Sequence, residues 1–285
     1  MRGFCKISFN YGGFMTGKIK ISLFVFLIII LCSQYAFCEV ILGRVKQNDT
    51  LNKKNKIVDS YTQKPVTGAA VTIPSLGYRT TSDNNGTFEL NTEITDKAIM
   101  SVQKEGYRPF SLTIDKNIAS KPLKLGIEKS KTGDVTIESE LCHLGDDVYS
   151  ETSANSMEFR GKSLGSYFSK SFKAGTLRPN EEAVLIIGSV IGLDTKMAKE
   201  LGQNQIAYVY SSPAEIFFNG QKVGELNING DNQEIGIPRQ LIRENNEVTI
   251  KTGRNLFQHA YIDYDDIEIA NIRFEIKDKN TFAYK

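Results

Sequence analysis

The residues of this chain whose types and spacing could do chemistry are carboxylates in two segments that alternate like β-strands. In the segment VTIESEL, Glu138 and Glu140 share one side of the strand because side chains alternate, which places them about 7 Å apart. A larger group of acids lies in the C-terminal segment AYIDYDDIEI: Asp263, Asp265, Asp266 and Glu268. If the two strands are neighbours, like charges converge, and they then need a hard cation or a basic side chain to neutralise them. The alternative interpretation is that these acids are solvated at a sheet edge.

No arrangement of residues in the sequence favours an enzyme, and we expect no catalytic residues. The segment GKSLG around Ser163 fits the pattern G-x-S-x-G, but a nucleophile elbow requires a buried parallel strand before the serine and a helix after it. The flanking segments are polar or alternate like an exposed strand. His259 is the only histidine downstream of Ser163, and it lacks an acidic partner at the required position in the chain. Cys142, His143 and His259 do not make a zinc set.

The C-terminal acids belong to a module whose most informative segment runs from Glu215 to Gly253. Asn219 and Gly220 lie between two apolar runs, and this pair predicts a tight hairpin because both turn residues take positive φ at low cost. Pro238 ends a following strand. The pattern resembles the middle of a galactose-binding-like β-sandwich, a fold used mostly for non-catalytic attachment to sugars and surfaces.

Three local features of the same module can also be predicted. The apolar phase of the last strand slips near Ala270 and Asn271, which indicates a β-bulge. The segment EEAVLIIGSVIG is typical of a buried strand. The segment LDTKMAKELG predicts one short helix that Asp194 or Thr195 caps and Gly202 ends.

The resemblance to galactose-binding-like and related carbohydrate-binding modules implies one structural calcium ion. In those modules the first and last strands are commonly neighbours, and a Glu-x-Glu on the first strand holds the ion together with acids before the last strand. Carried over to this sequence, the resemblance implies Glu138, Glu140 and Asp266 as the oxygen ligands.

The segment HLGDDVYSETSANSMEF resembles a recurrent opening of the same modules, where a turn leads into a loop at one end of the sandwich. The resemblance implies that this loop contacts a ligand through four residues: His143, Asp146, Asp147 and Tyr149. A turn stabilised by Gly145 and by Asx hydrogen bonds explains the same residues without any ligand. Sugar sites usually stack a ring on an aromatic face, and the chain has no Trp. Most aromatic residues on strands belong to the core, so few of the remaining candidates can serve as such a face: Tyr149, Tyr167, Phe168, Tyr208, Tyr210, Tyr261 and Tyr264.

A second series of short alternating segments, from about Lys56 to Ile127, predicts a separate sandwich with turns at its glycines and prolines. The stretches QKPVTGAAVTI, TTSDNNGTFEL and KEGYRPFSL resemble the carboxypeptidase regulatory-like domain, a transthyretin-type sandwich. Such domains resemble spacers and docking modules more than catalysts. The expected fold class is therefore all-β, with an Ig/prealbumin-like sandwich at 39–128 and a galactose-binding-like jelly roll at 129–285.

The first 38 residues are typical of a secretory signal peptide. Basic residues precede an apolar run, Ile21 to Cys32, whose 12 residues fall short of the roughly 20 that span a bilayer. Small residues before position 39 suit cleavage after Cys38. A lipid-anchored Cys38 and an uncleaved anchor are the alternatives. We therefore expect a secreted or cell-envelope protein.

Removing this leader changes what the composition implies. The whole chain has 35 basic and 33 acidic residues, and four of the basic residues lie in the leader, so the mature chain is slightly acidic. This balance gives no electrostatic case for binding nucleic acid. Cys142 is the one cysteine after the leader, so an internal disulfide is excluded and the cores must hold the protein together.

Two classes of function are compatible with these features. The favoured one is a secreted, non-catalytic binding protein whose C-terminal sandwich recognises a carbohydrate or another cell-surface component. In that interpretation the N-terminal sandwich is a spacer, or a dock for protein partners. The competing class is a structural or assembly component of the cell envelope that binds protein partners and no small ligand.

Overall fold

The computed structural model describes residues 54–204, 206 and 208–279, and they form two β-sandwiches, which confirms the predicted all-β class. The predicted leader and the start of the first domain lie outside the described residues. No helix in the described ranges has both the length and the apolar character to cross a membrane.

The N-terminal sandwich consists of seven strands, two short helical turns and two sheets. Its elements are β1 (Asn55–Asp59), β2 (Ala70–Ile73), a 3₁₀ turn (Pro74–Leu76), β3 (Tyr78–Thr81), β4 (Thr87–Phe88), β5 (Ala98–Gln103), β6 (Phe110–Ile114), α1 (Lys116–Ala119) and β7 (Lys124–Ile127). One sheet has the order β4-β1-β7 and the other β3-β2-β5-β6. Fully buried side chains such as Ile57, Val71 and Met100 fill the space between the two sheets.

The C-terminal sandwich consists of two four-stranded antiparallel sheets. Its elements are β8 (Val135–Leu144), β9 (Tyr167–Lys173), β10 (Glu181–Ile191), α2 (Lys196–Glu200), β11 (Ala214–Phe218), β12 (Gln221–Leu226), β13 (Gly230–Ile237), a 3₁₀ turn (Arg239–Leu241), β14 (Asn245–Lys251) and β15 (Ile267–Asp278). The first sheet, β13-β10-β15-β8, is called the inner sheet here, and the second, β12-β11-β14-β9, the outer sheet. Phe172, Phe218 and Phe274 pack in the core between them, with ring centroids 5.4–6.1 Å apart.

The local predictions for this sandwich are confirmed. Asn219 and Gly220 join β11 to β12 with φ of 51° and 80°, the positive values that the hairpin requires. The register of β15 against β8 shifts between Ala270 and Ile272, where Asn271 has a φ of 56°. Thr195 caps α2 by accepting the N–H of Ala198, so the other candidate cap, Asp194, is left for a different role.

The two sandwiches contact each other through small polar side chains between the β3-β2-β5-β6 sheet and the inner sheet. Ser189 donates to Ser111 at 2.9 Å, and Asn271 donates to Ser101 at 3.1 Å. The interface has an apolar part as well, around Ile99. Because the inner sheet has the core on one face and the N-terminal sandwich on the other, its two central strands, β10 and β15, are buried on both sides along most of their length.

Candidate functional site

The end of the C-terminal sandwich where β8 stops and β15 starts is built around a buried histidine and a buried aspartate. His143 Nε2 lies 2.9 Å from Asp266 Oδ1, and His143 Nδ1 lies 2.5 Å from the carbonyl oxygen of Gly161. Both partners are acceptors, so both ring nitrogens must carry a proton if both bonds form. The arrangement therefore favours an imidazolium–carboxylate pair in which Asp266 is ionised.

Asp266 is fully buried and its oxygens have further donors. Its Oδ1 accepts the N–H of Asp147 at 3.1 Å, and its Oδ2 accepts the amide of Asn155 at 3.0 Å. Gly145 makes room for this carboxylate, since its φ is 149° and a Cβ there would lie 2.1 Å from Asp266 Oδ1. The glycine of the segment HLGDD is thus explained by the close approach of a buried side chain.

The titration of the site follows from these contacts. Burial lowers the pKa of His143, but the hydrogen bonds to Asp266 and Gly161 outweigh it, so the net pKa is raised. Glu268 lies opposite His143 in the strand pairing, and burial raises the pKa of this carboxyl to about 7 although His143 opposes the shift. Burial and the charge of Asp266 raise the pKa of Tyr149.

The structure brings the four predicted loop residues together, but their polar groups are largely used within the protein. Asp146 accepts the N–H of Tyr264 at 2.8 Å, and the Tyr149 hydroxyl lies 3.5 Å from His143 Nε2. Asp147 has the most exposed side chain of the four, and it accepts the N–H of Ser163 at 3.2 Å. Most of these groups therefore face the protein and hold the loop 145–166 in place.

One group of potential metal ligands lies in this region: His143, Asp147 and Asp266 each offer an atom within 4.8 Å of the others. Both nitrogens of His143 are already engaged, and a metal ligand must be a neutral imidazole. A metal at this place would therefore have to displace the hydrogen bond to Gly161 or the one to Asp266. The geometry favours the ion pair.

The structure does not bring together the predicted calcium ligands Glu138, Glu140 and Asp266. Glu138 lies opposite Ile272, whereas Asp266 precedes the other end of β15, so about six residues or roughly 20 Å of strand separate them. Glu138 pairs instead with Lys170 at 2.9 Å. The strands are neighbours as expected, but the antiparallel register places Glu138 part-way along the pair of strands and Asp266 beyond the start of β15.

A groove of about 850 Å³ lies on the exposed face of the outer sheet, and the loop prediction missed it. Its principal side chains are Tyr167, Glu215, Glu247, Lys251, Arg254 and Tyr264. In the sheet, Lys251 pairs with Tyr167 on one side and with Glu215 on the other, so these three side chains form one row across the face. The outward positions of β14, which alternate with buried Val248 and Ile250, are the signal that could have indicated it.

The side chains of this groove are mixed in charge and partly aromatic. Tyr167 is 58% exposed, and the Lys251 ammonium lies 4.7 Å from the centroid of the Phe217 ring. Glu215 is ion-paired with Lys222 at 2.5 Å. The groove thus offers an accessible aromatic ring beside cationic and hydroxyl groups, which are suitable for a ligand with both apolar faces and hydrogen-bonding groups.

Comparison with known protein families finds a match for the first module. Residues 55–137 match the family model of the CarboxypepD_reg-like domain. The N-terminal sandwich is therefore similar to that family over the stretch where the sequence motifs predicted the resemblance. The comparison with curated proteins found no match.

Among solved structures, the chain is similar to a crystal structure of BuGH86wt in complex with neoagarooctaose, with 10% identity, a TM-score of 0.26 and coverage of 75% of this chain and 28% of that one. A second structure, a BuGH86 variant with the same compound, has 11% identity, a TM-score of 0.25 and the same coverage. The match thus spans little more than a quarter of those chains, and its TM-scores are too low to support an argument about this protein.

The N-terminal sandwich, the domain similar to that family, does not contribute to the groove. All of the residues that line the groove lie between Ser166 and Tyr264, on strands and loops of the C-terminal sandwich. The domain packs instead on the inner sheet, through contacts such as Thr113 with Asp231 at 2.9 Å. The groove and the domain therefore lie on opposite faces of the C-terminal sandwich.

Proposed function

We propose that this protein is a secreted or cell-envelope binding protein whose C-terminal sandwich recognises a carbohydrate without catalysis. The observation that carries the proposal is the groove on the outer sheet, which combines accessible Tyr167 with hydrogen-bonding side chains. The ligand site is therefore assigned to this face of the sandwich, and the buried part of the loop around His143 is assigned a positioning role.

The chemistry of the groove suits a sugar. A tyrosine ring offers an apolar face for the C–H groups of a sugar ring, and neighbouring polar groups fix the hydroxyl groups. Ser169 and Thr249 form a hydroxyl pair at 3.0 Å on the same face. Lys251 and Arg254 add hydrogen-bond donors and Glu247 adds an acceptor, which suit the hydroxyl groups of a sugar.

The contacts of the candidate nucleophile support a non-catalytic role. The Ser163 hydroxyl donates to the carbonyl oxygen of Gly145 at 2.8 Å, and it lies in a loop without a strand before it or a helix after it. A serine nucleophile needs a general base within hydrogen-bond reach. Glu215, an acid in the groove, is held by Lys222 and is not poised as a proton donor.

Affinity electrophoresis of the full mature chain tests the proposal. Native gels containing one soluble polysaccharide each, neutral or acidic, should retard the wild-type protein in at least one case. Tyr167→Ala should weaken that binding by roughly 2- to 13-fold, because an aromatic contact contributes roughly 0.5–1.5 kcal/mol. The matched control is Tyr61→Ala, since Tyr61 is 95% exposed on the N-terminal sandwich and should not affect migration.

Two results would contradict the proposal. Unchanged mobility of the wild-type protein in every gel would argue against carbohydrate binding. Equal retardation of the wild-type protein and Tyr167→Ala would leave carbohydrate binding intact but would remove it from the groove.

A second candidate function, an envelope assembly component that binds protein partners, is favoured by one specific observation. Apolar side chains next to the groove are 44–55% exposed in one short segment: Leu256, Phe257, Tyr261 and Ile262. Exposed apolar clusters mark protein-binding surfaces. In this case Phe257→Ser should abolish binding to a purified envelope partner, whereas Tyr167→Ala should not affect it.

A further inference from the structure

A second group of buried polar side chains lies at the same end of the C-terminal sandwich, next to the His143–Asp266 pair. Asp194 follows β10, and Asp265 immediately precedes Asp266 at the entry to β15. Both carboxylates are completely buried. Because neighbouring residues in extended chain point to opposite sides, Asp265 faces away from the histidine that neutralises Asp266.

Backbone contacts hold the two carboxylates close together. The N–H of Asp194 donates to Asp265 Oδ2 at 3.0 Å, and the N–H of Ser211 donates to the carbonyl oxygen of Asp194 at 2.8 Å. The N–H of Ser156 donates to Asp194 Oδ2. Each carboxylate therefore uses one oxygen for a backbone donor, and Oδ1 of each is buried with no hydrogen-bond partner in the described part of the chain.

Two neutral polar side chains accompany these carboxylates. Asn204 is 92% buried and Ser211 is 99% buried, and the described residues make no hydrogen bond of regular geometry to the Asn204 amide or the Ser211 hydroxyl. Their polar contacts are with the acids themselves: a contact of hydrogen-bonding type with Asn204 lowers the pKa of Asp194, and one with Ser211 lowers that of Asp265. Several polar atoms that are costly to bury thus lie together without well-formed hydrogen bonds.

The described surroundings of Asp194 and Asp265 show no dominant positive charge. Burial raises the pKa of both acids, and no Lys or Arg of the described chain is among the groups that dominate those pKa values. Two adjacent buried carboxylates are unfavourable without a counter-charge. The set contains oxygen ligands only, and it lacks the thiolate or imidazole that zinc prefers.

We propose that Asp194, Asn204, Ser211 and Asp265 form a site for one hard divalent cation, with Ca²⁺ as the preferred ion. The donors are Oδ1 of the two aspartates, Oδ1 of the asparagine and Oγ of the serine. Ca²⁺ takes six to eight oxygen ligands at flexible angles, so four side chains leave positions for backbone oxygens or water, whereas Mg²⁺ demands stricter octahedral geometry.

The cation would hold three connecting segments of the sandwich together. They are the turn after β10, the return segment that contains Asn204 and Ser211, and the entry to β15. Ser211 also bridges to Asn255, and the N–H of Asp265 donates to the carbonyl oxygen of Gly253 at 3.0 Å, so the site lies beneath the loop that carries Arg254 in the groove. The proposed role is to stabilise this end of the sandwich, whatever the groove binds.

The test is made on the full mature chain after removal of metal with a chelator. Adding CaCl₂ should raise the melting temperature, and calorimetric titration should give one site per chain, with a weaker response to MgCl₂. Asp265→Asn and Asn204→Ala should each weaken Ca²⁺ binding by at least tenfold. Even the loss of a residue that only hydrogen-bonds to a metal ligand typically lowers metal affinity by about 10- to 100-fold. Asn204→Ala serves if Asp265→Asn fails to fold.

Asp147→Asn is the matched control, because Asp147 belongs to the neighbouring group with His143 and Asp266. It should bind Ca²⁺ like the wild-type protein. Absence of both a thermal shift and a heat of binding in the wild-type protein would overturn the proposal. So would loss of binding in Asp147→Asn with retention in Asp265→Asn, and an equal response to Mg²⁺ would overturn the preference for Ca²⁺. None of these results depends on carbohydrate binding.

Discussion

Asp265 and Asp266 are neighbours in the chain, and both are completely buried, yet their surroundings differ. Asp266 has His143, Asn155 and a backbone N–H as partners, and the imidazolium balances its charge. Asp265 faces Asp194, a second carboxylate, and its Oδ1 has no partner among the described residues. The protein thus buries two adjacent acids in different ways. The charge of Asp266 is balanced by the His143 side chain, whereas Asp265 belongs to the proposed site for a bound metal ion.

This difference bears on which of the C-terminal acids could hold a metal ion. A buried carboxylate needs a counter-charge, and the sequence pattern alone does not say whether a side chain or an ion provides it. The segment AYIDYDDIEI was expected to contribute Asp266 to a metal site. The contacts favour Asp265 as the metal ligand, because the His143 side chain already balances the charge of Asp266.

The largest expected effect comes from breaking the internal pair. Asp266→Asn should lower the free energy of unfolding by about 3–5 kcal/mol at pH 6, because His143 would remain as a buried charge without its counter-ion. Urea denaturation in the presence of Ca²⁺ measures the change. A loss under 1 kcal/mol would show that the pair is not the buried ion pair described here.

A smaller effect is expected at Glu268, whose carboxyl oxygens have no hydrogen-bond partner among the described residues. Its pKa is raised from 4.5 to about 7 by burial, so the folded protein loses stability as the pH rises through this interval. Glu268→Gln removes that loss. Relative to the wild-type protein, the variant should gain about 2 kcal/mol between pH 5 and pH 8, measured by urea denaturation at each pH. A difference that does not vary with pH would contradict the assignment.

The protonation of His143 provides a third comparison. Its pKa is raised in the folded protein, so the stability from its pair with Asp266 is fully present below the unfolded value near 6.5 and is lost as the pH rises through the folded value. The difference in unfolding free energy between the wild-type protein and Asp266→Asn should therefore shrink from pH 6 to pH 9. This decrease should be smaller than the loss of about 3–5 kcal/mol that Asp266→Asn causes at pH 6. Each unit by which the pKa of His143 is shifted accounts for only about 1.4 kcal/mol. A difference that stays constant from pH 6 to pH 9 would mean that the histidine is neutral in the folded protein over this range.

The smallest effect is expected at Asp147, which is the exposed acid near the same histidine. Its carboxylate lies 3.7 Å from His143 Nδ1, and solvent screens this contact. Asp147→Asn should change the free energy of unfolding by about 0.5 kcal/mol or less. A loss comparable to that of Asp266→Asn would show that the ion pair extends to the surface of the loop.

Much of the fold could be predicted because its signals are local. Asn219 and Gly220 determine their hairpin by backbone conformation alone, and the phase slip near Asn271 shows the bulge in the sequence itself. Alternation also identifies the strands of both sandwiches. These features depend on residues within a few positions of one another, so no knowledge of the rest of the chain is needed.

The contact between the sandwiches and the composition of the site could not be predicted in this way. Ser101, Ser111 and Ser189 resemble solvent-facing positions of strands, yet they are buried because a second sheet covers them. The resemblance to carbohydrate-binding modules groups Glu138 with Asp266, but the register that separates them depends on the whole pairing of β8 with β15. The register between distant strands cannot be predicted from the residues around any one position.

The comparison between the two buried aspartates is tested most directly by a crystal structure of the full mature chain grown with Ca²⁺, with anomalous diffraction used to locate the ion. We predict a single strong peak about 2.3–2.6 Å from Oδ1 of Asp194 and of Asp265. His143 should still contact Asp266 in the same crystal. An anomalous peak among His143, Asp147 and Asp266, and none between Asp194 and Asp265, would contradict this assignment.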